Sequence, residues 1–269
     1  MNRRKTKEIK VGSLIIGGNA HISVQSMANC DSGDFDALYA QIKALERVGC
    51  DLVRVAVPDM NAVRVLGALK ESDIKIPISA DIHFDYKLAI EAAEAGADKI
   101  RINPGNIGSD DRVKAVAAAA KRLGVPIRVG VNGGSLDKRL LDRYGRPTAR
   151  ALAESALSNV RMLEKFDFDD IVVAVKSSCV ESMVEANEII AESTEYPIHL
   201  GVTEAGSAFS GTVKNAVGIG ALLLRGIGDT IRVSLTSDPI DEIRSGREIL
   251  ASLGLDAKKN IEIVSCPTC

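Results

Sequence analysis

The sequence has 269 residues, 46% of them hydrophobic, which is enough to bury the core of one large domain or two small ones. A formal net charge of -2, 3% aromatic residues and no Trp leave neither the basic field nor the stacking surfaces of a nucleic-acid binder. Five cysteines, an odd number without a secretory context, argue against a disulfide framework and for reduced thiols.

The start, 1–10, is basic, but the apolar stretch behind it is broken by Gly12, Gly17 and Gly18, so it is no signal-peptide core. Residues 11–16, the Gly17-Gly18 pair and 20–24 are expected to form a small hairpin closing the bottom of the fold. From there a unit of about 25 to 35 residues repeats: a β-branched run, a polar loop, an amphipathic segment, a glycine. The expected strands are 22–27, 52–57, 78–84, 99–103, 126–131, 171–176, 198–203 and 230–235. Between them, patterns such as Leu38, Ile42, Leu45 and Val48 put apolar residues on one helix face. Gly49, Gly96, Gly124 and Gly228 stand where left-handed C-caps are expected. The longest nearly apolar run, 216–224, is far below the roughly 18 residues of a membrane span. Strands alternating with helices demand parallel pairing, and eight units in this length fit a (β/α)8 TIM barrel, assigned to 1–258, in a cytoplasmic protein.

Four strands share an arginine between two branched apolar residues: Val53-Arg54-Val55, Ile100-Arg101-Ile102, Ile127-Arg128-Val129 and Ile231-Arg232-Val233. Successive strand side chains point to opposite faces, so each Arg lies opposite its apolar neighbours. The helix-facing side must be apolar, and the arginines are therefore expected inside the lumen near the C-terminal mouth. The same parity brings Asn103, Asn132 and Ser234 inside, with Asp81 and His83, Lys176 and Ser178, and His199 and Thr203. Five cations, Arg54, Arg101, Arg128, Lys176 and Arg232, then face two carboxylates, Asp81 and Glu204. Such an excess makes sense as the receptor of a polyanion, and a diphosphate has the right charge and size. Glu204, in the polar loop Thr203-Glu204-Ala205-Gly206-Ser207, is the candidate catalytic group; ionised beside cations, it suits a base or electrostatic partner.

The chain ends Cys266-Pro267-Thr268-Cys269. Two thiolates at this spacing can share a metal centre, form a redox disulfide or make half a zinc site. A cubane cluster needs about four ligands, more than the pair supplies.

Taken in order, Gln25-Ser26-Met27, Ala80-Asp81-Ile82-His83-Phe84, Arg101-Ile102-Asn103-Pro104-Gly105-Asn106, Gly201-Val202-Thr203-Glu204-Ala205 and the terminal Cys-Pro-Thr-Cys resemble the 4-hydroxy-3-methylbut-2-enyl diphosphate synthase family over essentially the whole chain. The resemblance implies reductive opening of 2-C-methyl-D-erythritol 2,4-cyclodiphosphate, with two electrons delivered through a 4Fe-4S cluster from flavodoxin or ferredoxin. It implies phosphate binding by Arg54, Arg101, Arg128, Lys176 and Arg232, ligand positioning by Asp81, His83, Asn103, Asn132, Thr203 and Ser234, proton movement at Glu204, and cluster ligation by Cys266 and Cys269. It further implies a homodimer in the full-length protein, and a cluster domain that would begin at 259–269 and whose remaining ligands this sequence does not carry. Two rival expectations are a redox-free phosphate-binding barrel resembling the pterin-binding synthases and a diphosphate-binding module without catalysis.

Overall fold

The computed structural model describes residues 2–256. β1 (Ile9–Val11) and β2 (Leu14–Ile16) pair antiparallel with Val11 opposite Leu14, so Gly12 and Ser13 make the turn. Gly12 has φ 57, as the first central residue of a two-residue type II′ turn requires. This corrects the expected hairpin, which was to turn at Gly17-Gly18 and return through 20–24. A β-carbon on Gly17 would lie 2.2 Å from the Lys7 carbonyl oxygen, so that glycine serves a close passage of the chain, and the residues beyond it enter the barrel instead.

Eight parallel strands come next: β3 (Ser23–Met27), β4 (Leu52–Ala56), β5 (Ile78–Asp81), β6 (Lys99–Ile102), β7 (Ile127–Val131), β8 (Ile171–Val175), β9 (His199–Leu200) and β10 (Thr230–Ile231). Their order is β8-β7-β6-β5-β4-β3-β10-β9, and a parallel bridge from Val173 to Ile198 joins the two ends, closing the barrel. β9 and β10 stop short of the expected 203 and 235. At Gly201 a β-carbon would lie 2.3 Å from the Arg232 carbonyl oxygen, an approach too close for a regular ladder with side chains to continue.

The helices on the outside are α1 (Phe35–Arg47), α2 (Met60–Glu71), α3 (Tyr86–Glu94), α4 (Pro104–Ile107), α5 (Asp110–Leu123), α6 (Lys138–Tyr144), α7 (Ala149–Glu164), α8 (Val180–Ser193), α9 (Ala208–Leu224) and α10 (Pro239–Ser252). Several start at the mouth on a carboxylate cap: Asp34, Asp59 and Asp85 accept from the amides of Ala37, Ala62 and Lys87. Leu38, Ile42 and Leu45 bury the inner face of α1, each contributing about 1.5–3 kcal/mol. No helix among the described residues is long and apolar enough to cross a membrane.

The lumen is divided by height. At its base Ile9, Val11, Leu14 and Ile16 of the hairpin pack with Leu52 and Val172 as a separate apolar plug. Above the plug the inward side chains turn polar and then cationic, so the hairpin shuts the bottom and leaves the mouth as the way in.

Candidate active site

The inward parity of β4, β6 and β7, and of the chain just beyond β8 and β10, delivers Arg54, Arg101, Arg128, Lys176 and Arg232 to one small pocket of about 80 Å³ at the mouth. Gly130, Val131, Asn132, Ala174 and Thr203 complete its wall. Five elements thus supply five cations to one point. A larger cleft of about 610 Å³ lies between α4, α6 and α7, but none of the five lines it. Charge, not volume, singles out the smaller pocket as the candidate site.

Asp81 sits under these groups, 2% exposed, 3.1 Å from Nη1 of Arg101, 3.4 Å from Nε of Arg54 and 3.5 Å from Nε2 of His83. Burial raises its pKa, but Arg54, His83 and Arg101 outweigh that and hold the carboxyl far below the usual carboxylate range. The second buried carboxylate against these cations is Glu242 of α10, 3% exposed. It accepts from Arg232 at 3.2 and 3.3 Å, from the Ser26 hydroxyl at 2.8 Å and from the Leu235 amide at 3.1 Å. Sequence reading assigned that place to Glu204 and missed Glu242. The signal was present: Pro239, Glu242, Ile243, Gly246, Arg247 and Leu250 keep helical spacing, so an acid lies inside an apolar stripe.

Two carboxylates leave the pocket strongly positive. Arg128 is 1% exposed and its side chain makes no hydrogen bond or ion pair among the described residues; its Nε, the Nε of Arg101 and the amine of Lys176 are buried without partners. Burial, reinforced by Arg54 and Arg101, pushes the Arg128 pKa well below its ordinary range. Burial likewise brings Arg54 down to about 10 despite Asp81. Arginine keeps its proton in proteins, so this downward pressure is unrelieved charge for which an anion is the natural partner. Lys176 is pushed well below the usual lysine range by burial, then by Arg232 and Arg128.

The other expected residues are dispersed. His83 is 59% exposed at the rim, oriented by Asp81. Glu204 is exposed in the loop after β9 with φ 51, a left-handed conformation that costs a non-glycine residue about 1–2 kcal/mol. Ser234 is half-buried beyond β10 and does not line the pocket. Asn103 caps α4: its Oδ1 accepts from the Gly105 amide at 3.2 Å and from Asn159 Nδ2 at 3.0 Å, and it lines the larger cleft. Parity carried it inward, but the chain leaves the ladder at Ile102 and turns its side chain toward α7.

Cys30, Cys50 and Cys179 are free, and burial pushes the Cys50 thiol up to about 12. No group of three or more His, Cys, Asp or Glu among the described residues could hold a metal ion, so this part of the chain does not fit an iron-sulfur cluster. Cys266 and Cys269 lie outside the described residues.

The GcpE TIM-barrel domain family matches residues 6–247. A relative from Ruminiclostridium cellulolyticum is 55% identical over 269 residues, all of this chain and 76% of its own length. One from Halalkalibacterium halodurans is 54% identical over 268 residues, 100% of this chain and 72% of its own. Both are named 4-hydroxy-3-methylbut-2-en-1-yl diphosphate synthase (flavodoxin). Among solved structures, the dihydropteroate synthase of Thermus thermophilus has a TM-score of 0.67 at 15% identity, covering 92% of this chain and 98% of its own. The type I 3-dehydroquinate dehydratase of Clostridium difficile has a TM-score of 0.66 at 15% identity, covering 92% and 98%. At such identity these two share the fold alone.

Proposed function

Because this chain belongs to the GcpE TIM-barrel family, we propose that it performs the reaction for which its relatives are named, with the cationic pocket as the seat of the diphosphate. The reaction is the reductive ring opening of 2-C-methyl-D-erythritol 2,4-cyclodiphosphate to 4-hydroxy-3-methylbut-2-enyl diphosphate. The observation that carries the assignment of the pocket is Arg128, a buried guanidinium with no counter-charge of its own. Arg54, Arg101, Arg128, Lys176 and Arg232 hold phosphate oxygens, with Asn132 and Thr203 on the wall. Breaking the carbon–oxygen bond of the ring leaves its electron pair on a phosphate oxygen, and preorganised cations favour that added charge. Asp81 keeps Arg54, Arg101 and His83 aligned. Glu204 is assigned to proton movement at the departing hydroxyl, and its strained backbone beside the mouth supports a functional constraint.

The two electrons would come through a 4Fe-4S cluster, for which Cys266 and Cys269 are this chain's candidate ligands in an extension assigned to 259–269. The relatives' names support flavodoxin as donor. The cytoplasm, where thiols such as Cys30 and Cys179 stay reduced, is the proposed compartment. A second copy is the proposed partner, supported by the outer face of α9. Phe209, Val213, Val217 and Leu224 form one exposed apolar stripe there, 82%, 46%, 57% and 60% exposed.

The test is calorimetric binding of the cyclic diphosphate at fixed ionic strength, with inorganic sulfate as competitor. Arg128→Met is expected to weaken binding about 100-fold, the loss of a charge-assisted hydrogen-bonded pair, while raising the unfolding temperature because an uncompensated buried charge is gone. Equal affinity for sulfate and the cyclic diphosphate refutes the assignment.

A further inference from the structure

Below the ring of cations lies a polar layer that phosphate binding does not account for. Lys99 enters the lumen at the start of β6 and is 0% exposed. Its hydrogen-bond partner among the described residues is the side-chain oxygen of Gln25, 3.3 Å away on β3. Gln25 is neutral, and its own Nε2 has no partner; nor have Ser79 Oγ, which neighbours Lys99 in the β5–β6 register, Ser23 Oγ or His199 Nε2.

The charged groups around this layer come from every side: Arg54 of β4, Asp81 of β5, Arg101 of β6 itself, Arg128 of β7, Lys176 beyond β8, His199 of β9, Arg232 beyond β10 and Glu242 of α10. Asp81 is engaged by Arg54, Arg101 and His83, and Glu242 by Arg232 and Ser26. Below is the apolar plug. An ammonium enclosed in this way, with one amide oxygen and no carboxylate in contact, favours release of its proton. Burial, then Arg128 and Arg54, push the Lys99 amine well below the usual lysine range, and burial, then Arg128 and Lys176, push His199 well below the usual histidine range. Lysine, unlike arginine, can respond in this way.

We propose that Lys99 is the proton store of the pocket: an uncharged amine beneath the empty pocket that accepts a proton from solvent when a diphosphate settles on the guanidiniums above it. The inference rests on the diphosphate reading of that pocket. Each phosphorus of a cyclic diphosphate bears one ionised oxygen. Ring opening leaves the carbon–oxygen electron pair on oxygen and adds a negative charge to the ligand, and a proton bound at Lys99 balances that gain one layer below. Uptake is accordingly larger with an open-chain diphosphate than with the cyclic one.

Calorimetric titration of the chain with inorganic pyrophosphate at about pH 8, in two buffers of different ionisation heat, counts the protons taken up on binding. Wild type should take up about one proton more than Lys99→Met, with Lys99→Gln sharing the deficit, because the contributions of Lys176 and of the ligand cancel between proteins. Equal uptake by wild type and both variants overturns the proposal. Loss of folding in both also overturns it, since a neutral store is replaceable by a neutral chain. Wild type that binds no pyrophosphate at all refutes the diphosphate reading itself, and this inference with it.

Discussion

Asp81→Asn tests the electrostatic account of the lumen most directly. The carboxylate is 2% exposed and is the sole acid in contact with Arg54 and Arg101 among the described residues. Removing one member of a buried ion pair costs about 3–5 kcal/mol, mostly because the surviving charge stays buried. For a domain of this size that lowers Tm by about 2–4 °C per kcal/mol, or roughly 6–20 °C. The sign with pH is set by a folded-state pKa far below the unfolded value near 3.9: the contribution is complete above about pH 5 and fades as pH falls below that value. Urea unfolding monitored by circular dichroism should therefore show the full deficit near pH 7 and a smaller one near pH 3. Pyrophosphate at about 100 times its Kd stabilises a binding protein by about 2.7 kcal/mol. At any fixed pyrophosphate concentration the variant should gain more than wild type, because the ligand supplies the missing negative charge. A variant as stable as wild type, or one that pyrophosphate stabilises less, would refute the reasoning.

Three further outcomes are expected. In Gly130→Ala the new methyl would lie 2.7 Å from Arg101 Nε, and the backbone there needs no positive φ; stability should change by less than about 1 kcal/mol while pyrophosphate affinity falls at least about tenfold, as calorimetry will show. Val217→Asp places a charge in the middle of the exposed α9 stripe and should convert a dimer to a monomer in sedimentation without altering pyrophosphate affinity. Glu204→Gly relieves the left-handed strain and should raise unfolding stability by about 1 kcal/mol, yet abolish turnover in the reductively assayed enzyme if that carboxylate moves the proton.

The barrel was legible because helix and strand periods alternate without interruption, and Gly49, Gly96, Gly124 and Gly228 do adopt positive φ at the turns into the next strand. The arginines were legible because period-two alternation fixes a face regardless of tertiary detail, and Arg101 and Arg128 stand opposite each other in the β6–β7 register. Parity lost its force where the ladder ends. Asn103 lies one residue past β6 and answers to the capping of α4, while Ser234 lies beyond a β10 of two residues. Glu242 was missed because it arrives from a helix: strand parity says nothing about it, and its signal lies in the helical period of α10. Its partner residue in that stripe, Arg247, contacts Asp51 at 2.6 Å and shows the same pattern serving a structural pair near the base.

The distribution of acids explains why one barrel can be both stable and anion-hungry. Near the base, where no ligand enters, the buried charge of Arg247 is met by Asp51 and Asp256. At the mouth, two carboxylates meet five cations, and both are placed on the flanks of the group: Asp81 against Arg54 and Arg101, Glu242 against Arg232. Arg128 and Lys176, between the flanks, have none. A third acid beside Arg128 would relieve the desolvation of its guanidinium and stabilise the empty protein, but it would occupy the position and neutralise the field on which the proposed phosphate binding depends. The deficit of carboxylate at that one point is thus the feature that separates a binding site from a salt-bridged core, and the apolar plug and outer helices supply the burial that lets the fold tolerate it.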